Sequence, residues 1–178
     1  LSRNSIECTE VMTGILCSGA SMVPVPSTAT PEAQRNMLAD SAVKGLFVSD
    51  DYREAALDQF LDLPSIRSEL RFALESACDV FSDHAAWAGQ FQTASPNIQM
   101  AVDEEYDILY SSGTTGMPKG IIHSHLARHL LISGTEAMDF EGATVLTSTP
   151  LYSNTTITTW WPSVWVGATQ IIMPKFNA

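Results

Sequence analysis

The stretch Tyr110-Ser111-Ser112-Gly113-Thr114-Thr115-Gly116-Met117-Pro118-Lys119-Gly120 decides the reading of this chain. It follows the apolar pair Ile108-Leu109 and gathers three glycines, four Ser or Thr hydroxyls and one lysine into eleven residues. Glycine lets a backbone approach a ligand closely and reach conformations closed to other residues. Successive main-chain N–H groups in such a turn form a concavity that binds anions. The hydroxyls add donors and Lys119 adds a positive charge, which together suit a polyphosphate. A plain surface turn rich in Ser, Thr and Gly leaves the Pro-Lys-Gly ending unexplained. The common nucleotide P-loop is excluded, because it requires Gly before the Lys and Ser or Thr after it. Here Pro118 precedes Lys119 and Gly120 follows.

Working outward, the 178 residues suffice for one domain with a sizeable core. Hydrophobic residues make up 45% and charged residues 16%, a globular composition. The net charge of −11, with nine Lys plus Arg, argues against a nucleic-acid partner and makes Lys119 conspicuous. Cys8, Cys17 and Cys78 have no metal or redox spacing and read as buried thiols in a reducing compartment, so a cytoplasmic location is expected. No apolar run reaches the ~18 residues of a membrane span, and no signal peptide is visible. Residue 1 is Leu, inside what reads as a helix, and the chain stops just past a strand; a piece of a longer protein is expected.

Helix and strand signals alternate. Asn4-Ser5-Ile6-Glu7 can cap a first helix that Gly19 closes. Ser21–Pro26 reads as a short edge strand. Thr30 caps a second helix with Pro31 in its first turn, ending near Asp40. Gly45–Val48 is a strand, Asp51–Leu61 a helix, Ser68–Glu75 an alternating strand, and Asp79–Gln90 a helix. A polar loop covers 91–100, and 91–105 is the one plausible joint, though no domain boundary is assigned there. Tyr106–Tyr110 is a strand feeding the glycine run, and Ile121-Ile122 can continue a hairpin. Ser124 caps a helix to about Met138. Ala143–Thr149 is a strand, Thr155–Val166 a buried helix stopped by Gly167, and Ala168–Met173 a last strand. This alternation predicts an α/β fold: a doubly wound, largely parallel sheet with helices on both faces.

The glycine run resembles the phosphate-binding signature of the adenylate-forming superfamily, which includes acyl-CoA synthetases, adenylation domains of peptide synthetases and beetle luciferases. The family pattern is an aromatic residue, Ser/Thr-Ser-Gly-Thr-Thr-Gly, any residue, then Pro-Lys-Gly, and every position matches. The segment Ile6 to Val25-Pro26, the Asp40-Ser41 to Val48 segment, Thr149-Pro150-Leu151-Tyr152-Ser153-Asn154 and Gly167-Ala168-Thr169 are similar to further stretches of acyl-CoA synthetases. The resemblance thus covers nearly the whole chain and identifies residues 1–178 as part of the large N-terminal AMP-binding domain. Two departures stand out. Ser153 occupies a position where many members carry a histidine guarding the acyl pocket. The family's downstream adenine and magnesium motif, ribose-binding aspartate and the catalytic lysine of the small C-terminal domain would lie beyond residue 178.

The resemblance implies ATP-dependent activation of a small-molecule carboxylic acid to an acyl-adenylate, then thioester formation with coenzyme A. Mg2+ accompanies ATP in this reaction. The residues 1–178 alone are expected to be inactive. Ser111, Ser112, Gly113, Thr114, Thr115 and Gly116 would hold the β- and γ-phosphates. Lys119 would offset their charge as the catalytic group. Tyr152, Ser153 and Asn154 would border the acyl pocket. Loading of a carrier-protein thiol, or non-catalytic binding of a nucleotide or acyl group, are the rival functions.

Other groups read more plainly. His123, His125 and His129 cluster after the run, and His125 and His129 share a helix face, yet no metal pattern accompanies them; helix-start structure is the default and no metal site is assigned. Trp160, Trp161 and Trp165 suit an acyl pocket or ordinary core equally well, Trp161 and Trp165 sharing a face. The sequon at Asn154-Thr155-Thr156 reads as chance, and Asp103-Glu104-Glu105 as a solvated loop.

Overall fold

The computed structural model describes residues 1–94, 96–111, 118–134 and 139–175. They fall into two compact units interleaved in sequence. One comprises Leu1–Ser2, Val25–Asn97 and Tyr110–Gly120; the other comprises Arg3–Pro24, Ile98–Leu109 and Ile121–Ala178.

Helix α1 (Ile6–Cys17) belongs to the second unit; the helices of the first are α2 (Pro31–Asp40), α3 (Arg53–Gln59) and α4 (His84–Ala88). Thr30 caps α2 by accepting from the Ala33 amide, and Pro31 sits where its missing N–H costs nothing. Strands β1 (Leu46–Val48), β2 (Arg71–Ala73) and β3 (Ser82–Asp83) form one parallel sheet in the order β1-β2-β3, with Phe47 opposite Phe72. Met37, Leu38, Val48, Ala56, Phe60 and Phe72 are among its buried residues. The Phe47 and Phe72 rings stack at 5.1 Å, and Trp87 of α4 packs on Phe72 at 4.7 Å.

Two expectations shift here. The strand expected over 68–75 shrinks to β2, because residues 68–70 form a single 3-10 turn. Ala73 is buried along with Phe72 and Leu74, so this strand is covered on both sides and simple alternation overstates its length. The helix expected over 79–90 begins only at His84. Ser82 and Asp83 pair with β2, and the Asp83 carboxylate caps α4 by accepting from the Ala86 amide at 2.6 Å.

In the second unit, α1 (Ile6–Cys17) starts at Ser5, whose hydroxyl accepts from the Cys8 amide at 3.1 Å. Gly19 follows with φ +75°, and a Cβ there would meet the Met100 sulfur at 2.9 Å, so both backbone and space demand glycine. The strand expected at Ser21–Pro26 reduces to one parallel bridge between Met22 and Asp107; prolines at 24 and 26 supply no N–H to extend it. Helices α5 (His125–Ser133) and α6 (Asn154–Trp165) and the parallel pair β6 (Thr144–Thr147) and β7 (Thr169–Ile172) complete it. Ser124 caps α5 through the Ala127 amide. The expected extension of this helix over 135–138 lies outside the described residues.

The core of this unit is Met12, Met22, Leu109, Leu151, Ile157, Trp160 and Trp161. Trp160 and Trp161 pack against each other at 4.3 Å and belong to the core, whereas Trp165 is 72% exposed. Trp160 and Trp161 therefore serve core packing, which Trp165 does not join.

Strands β4 (Glu105–Ser111) and β5 (Lys119–Ser124) are hydrogen-bonded neighbours. The α/β class stands. Parallel pairing holds in β1-β2-β3 and in β6-β7, and the strands of the described residues are distributed over three sheets rather than one. Among the described residues no helix is long and apolar enough to cross a membrane.

Candidate functional site

The glycine run is borne by the β4–β5 pair. Ser111 is the last residue of β4 and Lys119 the first of β5, and both are exposed. Two neighbouring strands therefore deliver the two ends of the run. Ser112, Gly113, Thr114, Thr115 and Gly116 lie outside the described residues.

Beside Ser111, the Tyr110 ring is half-buried. Its hydroxyl donates to the Asp40 carboxylate at the end of α2 at 2.7 Å, with the Met37 carbonyl a second acceptor at 3.1 Å. Burial, reinforced by the Asp40 hydrogen bond and charge, pushes the Tyr110 phenol up to about 12. It stays a neutral donor at any physiological pH.

Further down β4, Asp107 is fully buried, and a buried carboxylate needs partners. Arg128 of α5, 2% exposed, supplies a fork: Nε donates to Oδ2 at 2.9 Å and one terminal nitrogen to Oδ1 at 3.0 Å. The other terminal nitrogen donates to Asn154 Oδ1 at 3.0 Å. His123 of β5 completes the set, its Nδ1 2.7 Å from Asp107 Oδ1. One charge network thus ties β4, β5, α5 and the first residue of α6. Sequence reasoning passed over Asp107 and Arg128. The available signal was a carboxylate in an otherwise apolar strand, Tyr106-Asp107-Ile108-Leu109, which demands a buried cation somewhere.

The expected pocket residues sit on the turn into α6. Tyr152 and Ser153 are half-buried, and Ser153 occupies the N-cap position of α6 without a side-chain cap bond. Asn154 is exposed overall, but its amide oxygen is engaged by Arg128. This turn is fixed by Asn4, whose amide donates to the Thr149 carbonyl and whose Oδ1 accepts from the Leu151 amide, both at 2.9 Å. Asn4, read as part of a helix cap, is instead this staple. Asn4→Ala strands two backbone groups and is expected to cost about 1–3 kcal/mol, checked by the shift in urea midpoint.

The three histidines part company. His123 binds Asp107, His125 meets the Tyr106 ring edge-on at 5.1 Å, and His129 is exposed. Among the described residues no three His, Cys, Asp or Glu groups converge to hold a metal.

With fold and site in view, the comparisons define the class. The family model described as AMP-binding enzyme matches residues 1–178, and the chain belongs to that family. It is 34% identical over 85 residues to the long-chain-fatty-acid–CoA ligase FadD13 of Mycobacterium tuberculosis, a match covering 47% of this chain and 17% of that protein. It is 29% identical over 126 residues to the fatty acid–[acyl-carrier-protein] ligase ScoC of Streptomyces coeruleorubidus, covering 70% and 22% respectively. The solved N-terminal domain of FACL13 from Mycobacterium tuberculosis superposes with a TM-score of 0.82 at 25% identity, over 99% of this chain and 44% of that one. The chain spans less than half the length of each of these relatives.

Proposed function

We propose that the complete protein activates a carboxylic acid with ATP and passes the acyl group to a thiol, coenzyme A in the first reading. The observation that carries this is the glycine run in the sequence between the end of β4 and the start of β5 at Lys119, in a chain of the AMP-binding family. A substrate carboxylate oxygen attacks the α-phosphorus of ATP. The bond from that phosphorus to the bridging oxygen breaks, and pyrophosphate leaves with the electron pair. The thiolate then adds to the acyl carbonyl carbon and AMP departs, leaving the thioester. Neither step asks much acid–base chemistry of the protein. Positioning and charge stabilisation supply most of the acceleration. In this reading Ser111, Ser112, Gly113, Thr114, Thr115 and Gly116 cradle the β- and γ-phosphates. Tyr152, Ser153 and Asn154 border the acid. The remaining adenine, ribose and catalytic contacts come from sequence beyond residue 178, and residues 1–178 serve as part of the larger N-terminal domain.

Mg2+ would enter with ATP, with the family's magnesium motif expected beyond residue 178. Mg2+ usually keeps several waters and binds through one or two carboxylates plus substrate phosphates. It would neutralise phosphate charge alongside Lys119.

The second reading is a carrier-protein thiol as acyl acceptor, favoured by the likeness to ScoC. The test is carboxylate-dependent ATP–pyrophosphate exchange by the complete protein across acids of graded chain length, followed by addition of coenzyme A or a carrier protein. Exchange with at least one acid is expected. ATP binding without exchange for any acid would replace adenylation by a non-catalytic nucleotide-binding role.

A further inference from the structure

We propose that Tyr110 and Asp40 form a positioning pair that fixes the end of β4 from which the phosphate run departs, an inference that rests on the ATP-binding role given to that run above. Tyr110 is the residue from which the run departs: Ser111 follows it directly at the end of β4. Its hydroxyl is held by the Asp40 carboxylate at 2.7 Å. Asp40 is poorly placed for the stability of its own helix. It is the last residue of α2, where free carbonyls make a negative charge unfavourable, and no basic residue lies in that last turn. A neutral or cationic residue would serve the helix better, so the carboxylate's evident employment is the tyrosine.

The base to which Tyr110 is tied is itself rigid. Met37 and Leu38 are buried, the Ser41 hydroxyl donates to the Met37 carbonyl at 2.6 Å, and the Gln34 amide donates to the Pro26 carbonyl at 3.0 Å. A charge-assisted hydrogen bond is roughly twice as strong as a neutral one. It anchors the start of the run before ligand arrives, and ordering paid for in the free protein is not charged against binding. In the reading above the run meets the phosphates, so the effect of the pair is expected on them and not on the adenosine.

The test is titration calorimetry of the complete protein with MgATP and, separately, with AMP, which lacks the β- and γ-phosphates. Tyr110→Phe keeps the ring and deletes the hydroxyl. It is expected to weaken MgATP about three- to tenfold while leaving AMP near the parent value. Asp40→Ala should reproduce that loss, Asp40→Asn, which keeps an acceptor oxygen, should restore most of it, and Tyr110→Phe with Asp40→Ala should be no worse than either alone. Unchanged MgATP affinity in Tyr110→Phe overturns the pair. Equal loss of MgATP and AMP, with a lowered melting temperature, also overturns it in favour of general destabilisation. A parent protein that binds no MgATP instead overturns the reading of the run itself.

Discussion

Lys119→Ala in the complete protein is expected to lower the rate of acyl-adenylate formation about a hundredfold, with little change in KM for the acid. The argument is one of charge. Pyrophosphate departs carrying more negative charge on its bridging oxygen than ATP carried there, so a fixed cation beside it stabilises the transition state more than the ground state. The chain holds few cations, nine against twenty acidic residues, and Lys119 is the one placed at the end of the run. In the proposed in-line displacement the acid would attack from the opposite side of the α-phosphorus, away from this charge. Rates of pyrophosphate exchange under saturating acid decide the matter. A mutant as fast as the parent removes Lys119 from the chemistry. A raised KM for the acid at unchanged kcat assigns it to substrate binding instead.

What could be read from residues alone depended on how local the determinant is. Helices with a cap at one end and a stop at the other were legible: Ser5 and Gly19 frame α1, and Thr30 with Pro31 opens α2 where expected. The run at 110–120 was legible because its chemistry is contiguous. Elements decided by distant partners were not. Ser82-Asp83 is a strand only because β2 lies beside it, and two residues are too few to show alternation. Met22 forms one bridge rather than a strand because the prolines after it withhold donors. The candidate site divides in the same way. The run and Lys119 declare themselves in sequence. The bonds supporting their strands, Tyr110 to Asp40 and Asp107 to Arg128, join residues 70 and 21 positions apart and leave no periodic trace.

The second large effect is expected at that last pair. Arg128→Met should destabilise the protein by about 3–5 kcal/mol, because it leaves the Asp107 carboxylate buried with its main counter-charge gone. For a chain of 178 residues that corresponds to a melting temperature lower by roughly 6–20 °C. His123 is 2.7 Å from the same carboxylate, but it offers a single ring-nitrogen contact where the guanidinium offered two hydrogen bonds and a full charge. Asp107→Leu should cost as much from the other side, leaving the buried Arg128 charge with Asn154 and His123 as its polar neighbours among the described residues. The two changes together should cost much less than their sum, because neither charge then remains buried and two apolar side chains fill the space. That coupling separates a desolvated ion pair from two independent packing losses, which would add. Thermal or urea unfolding of the four proteins measures it. Additive losses, or a single Arg128→Met cost below about 1 kcal/mol, would mean that water reaches the pair and screens it as it does a surface salt bridge.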